Sequence, residues 1–139
     1  MSNNLFIDTS GWASIIVPTE QHHAIATQHF RQAILTQQPI LTSNYIITEL
    51  VALLQSPLRL PRSAIFAQVD IIRSNPLVQQ IHLTPELDQD AWTLCKQRPD
   101  KTWSLVDCSS FILMKQLKMQ MALTTDHHFE QAGFIRLLK

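Results

Sequence analysis

Short apolar runs alternate along the chain with longer stretches in which apolar residues recur every three or four positions. Leu5-Phe6-Ile7 is such a run, stopped by Asp8-Thr9-Ser10-Gly11, and it predicts a buried strand ending in a turn that opens a helix. Between Glu20 and Gln37, the residues Ala24, Ile25, Phe30, Ala33 and Ile34 stand among polar ones, as on a helix with one buried stripe. Pro39 resets the chain, and Ile40-Leu41-Thr42 reads as a second strand. Ser43 is a good N-cap for a helix over Tyr45 to Leu54, which Ser56-Pro57 ends. Pro61 opens another helix to Arg73, with Ile65, Phe66, Val69 and Ile72 at helical spacing.

The alternation continues in the second half. Leu77-Val78 and Ile81-His82-Leu83 predict a third strand, and Thr84-Pro85-Glu86 starts a helix to Gln97. Ser104 and Asp107 have the spacing of a capping box and open a helix to Met119. Met121 to Thr125 reads as a fourth strand ending at Asp126. A helical turn at Phe129 to Gln131 follows, and Gly133 releases a fifth strand over Phe134 to Leu138. Strands that alternate with helices imply an α/β domain with a parallel sheet covered on both faces.

Composition narrows the class. The chain has 139 residues, 45% hydrophobic and 16% charged, which suits one globular domain over residues 1–139. Eleven basic and eleven acidic residues cancel, so no global field attracts nucleic acid and any such binding needs a local device. Cys95 and Cys108 lack C-x-x-C spacing and read as core thiols in a reducing cytoplasm. The start of the chain has no basic n-region, and no apolar run is long enough to span a membrane. Two glycines cannot build a phosphate-cradling loop.

Four acids each follow apolar residues: Asp8, Glu49, Asp107 and Asp126. Ligands of open parallel sheets gather at the carboxyl ends of the strands, so Asp8 and Asp126 would share a crevice if their strands are central. Glu49 falls at the edge of the apolar arc of its helix and needs a partner. Two like charges about 4 Å apart repel by about 4 kcal/mol at an effective dielectric of 20, and a cation resolves the conflict. Oxygen ligands favour Mg²⁺ or Mn²⁺ over zinc, and such an ion suits phosphodiester hydrolysis. Each acid also has a plainer explanation. Asp107 could be only the N3 member of its capping box, Asp8 a cap for the helix after it, and Asp126 the opening of the last helical turn.

Other residues carry less. The pairs His22-His23 and His127-His128 read mainly as solvated surface, with a minor substrate contact open to the second pair beside Asp126. Trp12, Trp92 and Trp103 are too dispersed for a base-stacking platform and read as packing residues. Lys96, Arg98 and Lys101 form the basic cluster nearest a proposed site, either a solvated linker or a phosphate contact. A phosphatase with an Asp nucleophile is disfavoured because Ser10 stands where its second Asp belongs.

Taken in order, Ile7-Asp8-Thr9-Ser10, Thr48-Glu49-Leu50, Trp103 to Phe111 and Leu123 to Phe129 resemble the motifs of PIN-domain proteins, of the kind found as the VapC-like ribonuclease toxin of bacterial toxin–antitoxin pairs. The resemblance runs over nearly the whole chain. It implies a three-layer α/β/α sandwich with a mostly parallel sheet. Asp8, Glu49, Asp107 and Asp126 would surround one or two Mg²⁺ or Mn²⁺ ions, supported by Thr9 and Ser104. It also implies a metal-dependent endoribonuclease, a homodimer and a small antitoxin partner; for such an enzyme the basic linker and the histidine beside Asp126 offer Lys101 and His127 as RNA contacts. The alternative is a catalytically silent module of the same fold that binds RNA or a peptide.

Overall fold

The computed structural model describes residues 3–139. Its elements, in chain order, are β1 (Leu5–Ile7), α1 (Thr9–Ile16), α2 (His23–Leu35), β2 (Ile40–Ser43), α3 (Asn44–Gln55) and α4 (Arg62–Ser74), then β3 (Val78–Ile81), α5 (Pro85–Gln97), α6 (Leu105–Gln116), β4 (Met121–Leu123), α7 (His128–Gln131) and β5 (Ile135–Arg136). The strands form one sheet in the order β3-β2-β1-β4-β5. Each neighbouring pair is parallel, so the sheet expected to be mostly parallel is parallel throughout.

The order explains where a ligand can sit. From β1 the chain steps outward through β2 to β3, then returns past β1 to β4 and β5. Parallel crossovers are right-handed, so this reversal sends α1 to α4 to one face and α5 to α7 to the other, giving three layers. It also opens a crevice between the carboxyl ends of β1 and β4, where the two halves diverge. The apolar character of the strands follows their place in the sheet. Leu5, Phe6, Ile7, Ile40, Leu41, Ala122 and Leu123 are buried, whereas the edge strands β3 and β5 are half-exposed and carry Gln79, Gln80 and Arg136.

Local chemistry fixes the ends of the elements. Ser43 caps α3 by accepting from the Ile46 amide at 3.1 Å, and Thr84 caps α5 from Leu87 at 3.1 Å with Pro85 at the first helical position. Pro61 lies at the N-cap of α4, one position before the expected one. The helix after Pro18 starts at His23 rather than Glu20, because turns closed by the Glu20 and His23 amides occupy residues 18–22. Similarly, α6 stops at Gln116, and β5 is limited to the two residues that pair with β4. Thr42, fully buried in β2, donates to the Ile7 carbonyl at 2.9 Å and accepts from the Trp12 indole at 3.0 Å, which ties β1, β2 and α1 together.

Three side chains depart from expectation. Trp92 is half-exposed on α5 instead of packing inward, and Trp12 alone of the three tryptophans is fully buried. His23 is not free surface: its Nδ1 lies 2.8 Å from the Ser14 carbonyl. Cys108 is buried and Cys95 half-buried, both as free thiols, in contact with each other between α5 and α6.

Gly11 is where α1 comes closest to the sheet. A Cβ there would lie 2.0 Å from the Leu123 carbonyl oxygen and 2.9 Å from Ile7 Cγ2. Backbone cannot yield as a flexible side chain can, so Gly11→Ala should destabilise the fold by about 1–3 kcal/mol or more through overpacking. Urea denaturation measures this, and an unchanged midpoint would show that α1 can lift off β4 at no cost.

Candidate active site

Asp8 follows the last residue of β1 and caps α1, so the plain capping explanation holds for it. Its Oδ1 accepts from the Gly11 amide at 2.9 Å and the Ser10 hydroxyl at 2.8 Å, and its Oδ2 accepts from the Thr124 hydroxyl at 2.7 Å. It is only 7% exposed. Burial lifts its carboxyl from an ordinary 3.8 to about 7, against the hydrogen bonds from Thr124, Gly11 and Ser10, and the charge of Asp126 adds to the rise.

Glu49 projects from the second turn of α3 and accepts a short hydrogen bond on Oε1 from the Thr9 hydroxyl. Desolvation raises its pKa, opposed by Thr9, with the charges of Asp107 and Asp126 adding to the rise. Asp107 is the N3 residue of α6 and completes the expected capping box. Its Oδ2 accepts from the Ser104 amide at 3.1 Å, while its own amide donates to the Ser104 hydroxyl at 3.0 Å. Burial raises its pKa as well. The Ser104 amide opposes that rise, the charge of Asp126 adds to it, and His128 lowers it.

Asp126 lies in the link between β4 and α7. Its Oδ1 accepts from the His128 amide at 2.9 Å, and its own amide donates to the Thr124 hydroxyl at 3.0 Å. The Thr125 carbonyl before it is held by the Arg136 guanidinium at 2.9 Å.

The four acids share one cleft. Its volume is about 450 Å³, and it is lined by Asp8, Thr9, Ser10, Glu49, Leu53, Asp107, Thr125, Asp126 and His127. Among the described residues no Lys or Arg lines it. The hydrogen bonds fall unevenly on the carboxylates. Glu49 is engaged through Oε1, Asp107 through Oδ2 and Asp126 through Oδ1. Among the described residues, the second oxygen of each accepts no hydrogen bond. Oriented carboxylates with one oxygen to spare, gathered in a cleft whose burial raises the pKa values of Asp8, Glu49 and Asp107, are a donor set suited to a hard divalent cation.

The other expected residues fall into place differently. Thr9 supports Glu49 directly, and Ser104 supports Asp107 from outside the cleft. His127 is on the cleft wall, its side chain 63% exposed. Lys101 is not; it stands in the loop between α5 and α6, just before Thr102. Arg98 is engaged within that loop, paired with Asp100 at 3.0 Å and stacked on the Trp103 ring.

Two hydroxyl residues did not emerge from the sequence as part of the site. Ser10 and Thr124 lie 3.2 Å apart between Asp8 and the β4 link, and the Ser10 hydroxyl also accepts from the Thr125 amide at 3.0 Å. The available signal was a hydroxyl residue two positions from an acid, Asp-x-Ser and Thr-x-Asp, at two strand ends.

The family model described as PIN domain matches residues 5–135. The chain is 29% identical over 134 residues to the 23S rRNA-specific endonuclease VapC20 of Mycobacterium tuberculosis strain CDC 1551 / Oshkosh, covering 96% of this chain and 97% of that protein. The same protein of strain H37Rv matches equally. The crystal structure of Mycobacterium tuberculosis VapC20, described as a sarcin-ricin loop cleaving toxin, is similar with a TM-score of 0.83 and 27% identity, over 98% of this chain and 100% of that one. FitAcB from Neisseria gonorrhoeae shares the fold, with a TM-score of 0.64 and 13% identity over 97% of this chain and 96% of that one.

The raised carboxyl of Asp8 makes stability depend on pH. A carboxyl that holds its proton more tightly when folded stabilises the fold fully below its unfolded value, near 3.8, and loses that contribution as pH rises toward about 7. In chelator-treated protein, urea denaturation from pH 4 to 7.5 should show wild type losing on the order of 4 kcal/mol relative to Asp8→Asn. Parallel pH profiles for the two would place the Asp8 carboxyl in water.

Proposed function

This chain belongs to the PIN-domain family, and from that premise we propose that it is a divalent-metal-dependent endoribonuclease, the toxin of a toxin–antitoxin pair. The observation that carries the reading is the convergence of Asp8, Glu49, Asp107 and Asp126 on one cleft without a Lys or Arg in its lining. A full acid set supports turnover rather than a silent binding module. The single domain over residues 1–139 is part of the same reading.

These four carboxylates would hold Mg²⁺ or Mn²⁺. When bound, the cation supplies positive charge to the scissile phosphate and makes water more acidic. The chain's own groups set the stage. Asp8 is fixed through both oxygens by the Gly11 amide and two hydroxyls, so its position varies least. Glu49, Asp107 and Asp126 each have one oxygen held by a protein donor, which would leave the other for the cation. Leu53 keeps one wall apolar and limits water there. His127 on the wall and Lys101 on the neighbouring loop would meet phosphates flanking the cleavage point.

The likeness to a 23S rRNA-specific endonuclease supports large-subunit rRNA as the substrate and the cytoplasm as the place of action. Among the described residues no helix is long and apolar enough to cross a membrane. A homodimer and a small antitoxin are the partners this reading entails.

Incubation of purified protein with ribosomal RNA in Mg²⁺ or Mn²⁺ tests the proposal. Cleavage should fall by about 100-fold or more in Asp8→Asn and Glu49→Gln, equivalent to about 3 kcal/mol of lost transition-state stabilisation. It should stop with chelator and return with added metal. Cleavage unaffected by both substitutions would refute it.

A further inference from the structure

His128 stands behind the site, not in it. It is the first residue of α7, its side chain is 16% exposed, and it does not line the cleft. Its Nδ1 is hydrogen-bonded to Asp107 Oδ2 at 3.1 Å and lies within ion-pair distance of Asp126 Oδ1, at 3.2 Å, so one ring nitrogen faces two carboxylates from different parts of the chain. The opposite nitrogen, Nε2, lies 3.1 Å from the Thr102 hydroxyl. Both partners of Nδ1 are acceptors when ionised, which requires Nδ1 to carry a proton. The Thr102 hydroxyl, which can donate or accept, holds Nε2 from the other side.

The mounting is built from two sides. Trp103, next to Thr102, donates its indole N–H to Gln131 Oε1 at 2.9 Å, so the α5–α6 loop is bonded to both ends of α7. Phe111 packs edge-on against Phe129 at 5.0 Å between ring centres, locking α6 to α7 beneath these bonds. The imidazole is therefore held by groups outside the cleft and aimed at the oxygens that a ligand would not use.

We propose that His128 is a positioning residue that ties down Asp107 through its Nδ1–H and sets the spacing to Asp126 beside it, with Thr102 holding the ring from its other nitrogen. The proposal rests on the metal-dependent reading of the cleft. It assigns His128 a role in metal affinity and turnover without contact to RNA, unlike its neighbour His127. Hydrogen bonds to the far side of carboxylate ligands set their orientation and basicity, and their loss costs about 10–100-fold in metal affinity or activity.

Three measurements test the clamp. Nitrogen-15 NMR of the histidine rings in chelator-treated wild type should show His128 protonated at Nδ1. A ring protonated only at Nε2 overturns the proposal, whether or not the protein binds metal. Calorimetric titration with Mn²⁺ should show His128→Asn, whose amide nitrogen can replace Nδ1, within about threefold of wild type, and His128→Gln, whose amide reaches the Nε2 position, weaker by about 10–100-fold. Equal loss in both variants, with melting curves showing both folded, overturns it. In RNA cleavage the His128→Gln deficit should appear in kcat with KM unchanged; a deficit in KM alone would make His128 an RNA contact instead. If wild type neither binds Mn²⁺ nor cleaves RNA, the ribonuclease reading fails, and the NMR result still decides the clamp.

Discussion

Mutual repulsion among carboxylates is the constraint around which this molecule is arranged. Asp8, Glu49, Asp107 and Asp126 share one cleft, and burial raises the pKa of the first three. Left to themselves, such groups would spread apart or protonate. Here they come from four separate segments of the chain, each braced from behind, so the sheet and its crossovers hold together what electrostatics would separate. The reversal of strand order beside β1 makes the meeting possible, because only there do the ends of β1 and β4 and the starts of α1 and α6 face a common space.

The bracing uses neutral donors rather than cations. Gly11, Ser10 and Thr124 serve Asp8, Thr9 serves Glu49, the Ser104 amide serves Asp107, and the His128 amide serves Asp126. An Arg or Lys in these places would cancel the negative potential on which cation binding depends. Hydroxyls and amides orient the carboxylates while leaving most of their charge in place. The formal neutrality of the chain therefore hides a local asymmetry, with acids in the cleft and cations such as Arg136 and Lys139 paired elsewhere with Glu130.

Much of this was legible in the sequence because strand ends and helix starts announce themselves. Leu5-Phe6-Ile7 ahead of Asp8, and the Ser104 to Asp107 spacing, located two acids together with their local geometry. Capping and a place in the cleft are compatible for both Asp8 and Asp107: the Asp107 cap engages Oδ2 alone, while Asp8 lines the cleft with Oδ1 in its cap and Oδ2 held by Thr124. Contacts between distant segments left no periodic trace. Ser10 with Thr124, Thr102 with His128 and Arg136 with the Thr125 carbonyl join segments whose juxtaposition exists only after the sheet forms. Trp92 misled for the opposite reason: a large aromatic residue on a helix suggests packing, but α5 turns it outward. Lys101 follows the same limit, since being near Asp107 in sequence did not bring it onto the cleft wall.

The uneven use of carboxylate oxygens bears on the thermodynamics of ligand capture. A free Glu or Asp side chain must give up rotamer freedom when it ligates, at a cost of up to about 2 kcal/mol for Glu. With one oxygen of Glu49, Asp107 and Asp126 already tied to the protein, that loss of entropy is incurred once, during folding. Under the proposed reading, binding at the other oxygen would proceed from an ordered start, and the association would keep more of its intrinsic energy. Rigidity of this kind would let a small cleft on a chain without net charge compete for a strongly hydrated ion under the proposed reading.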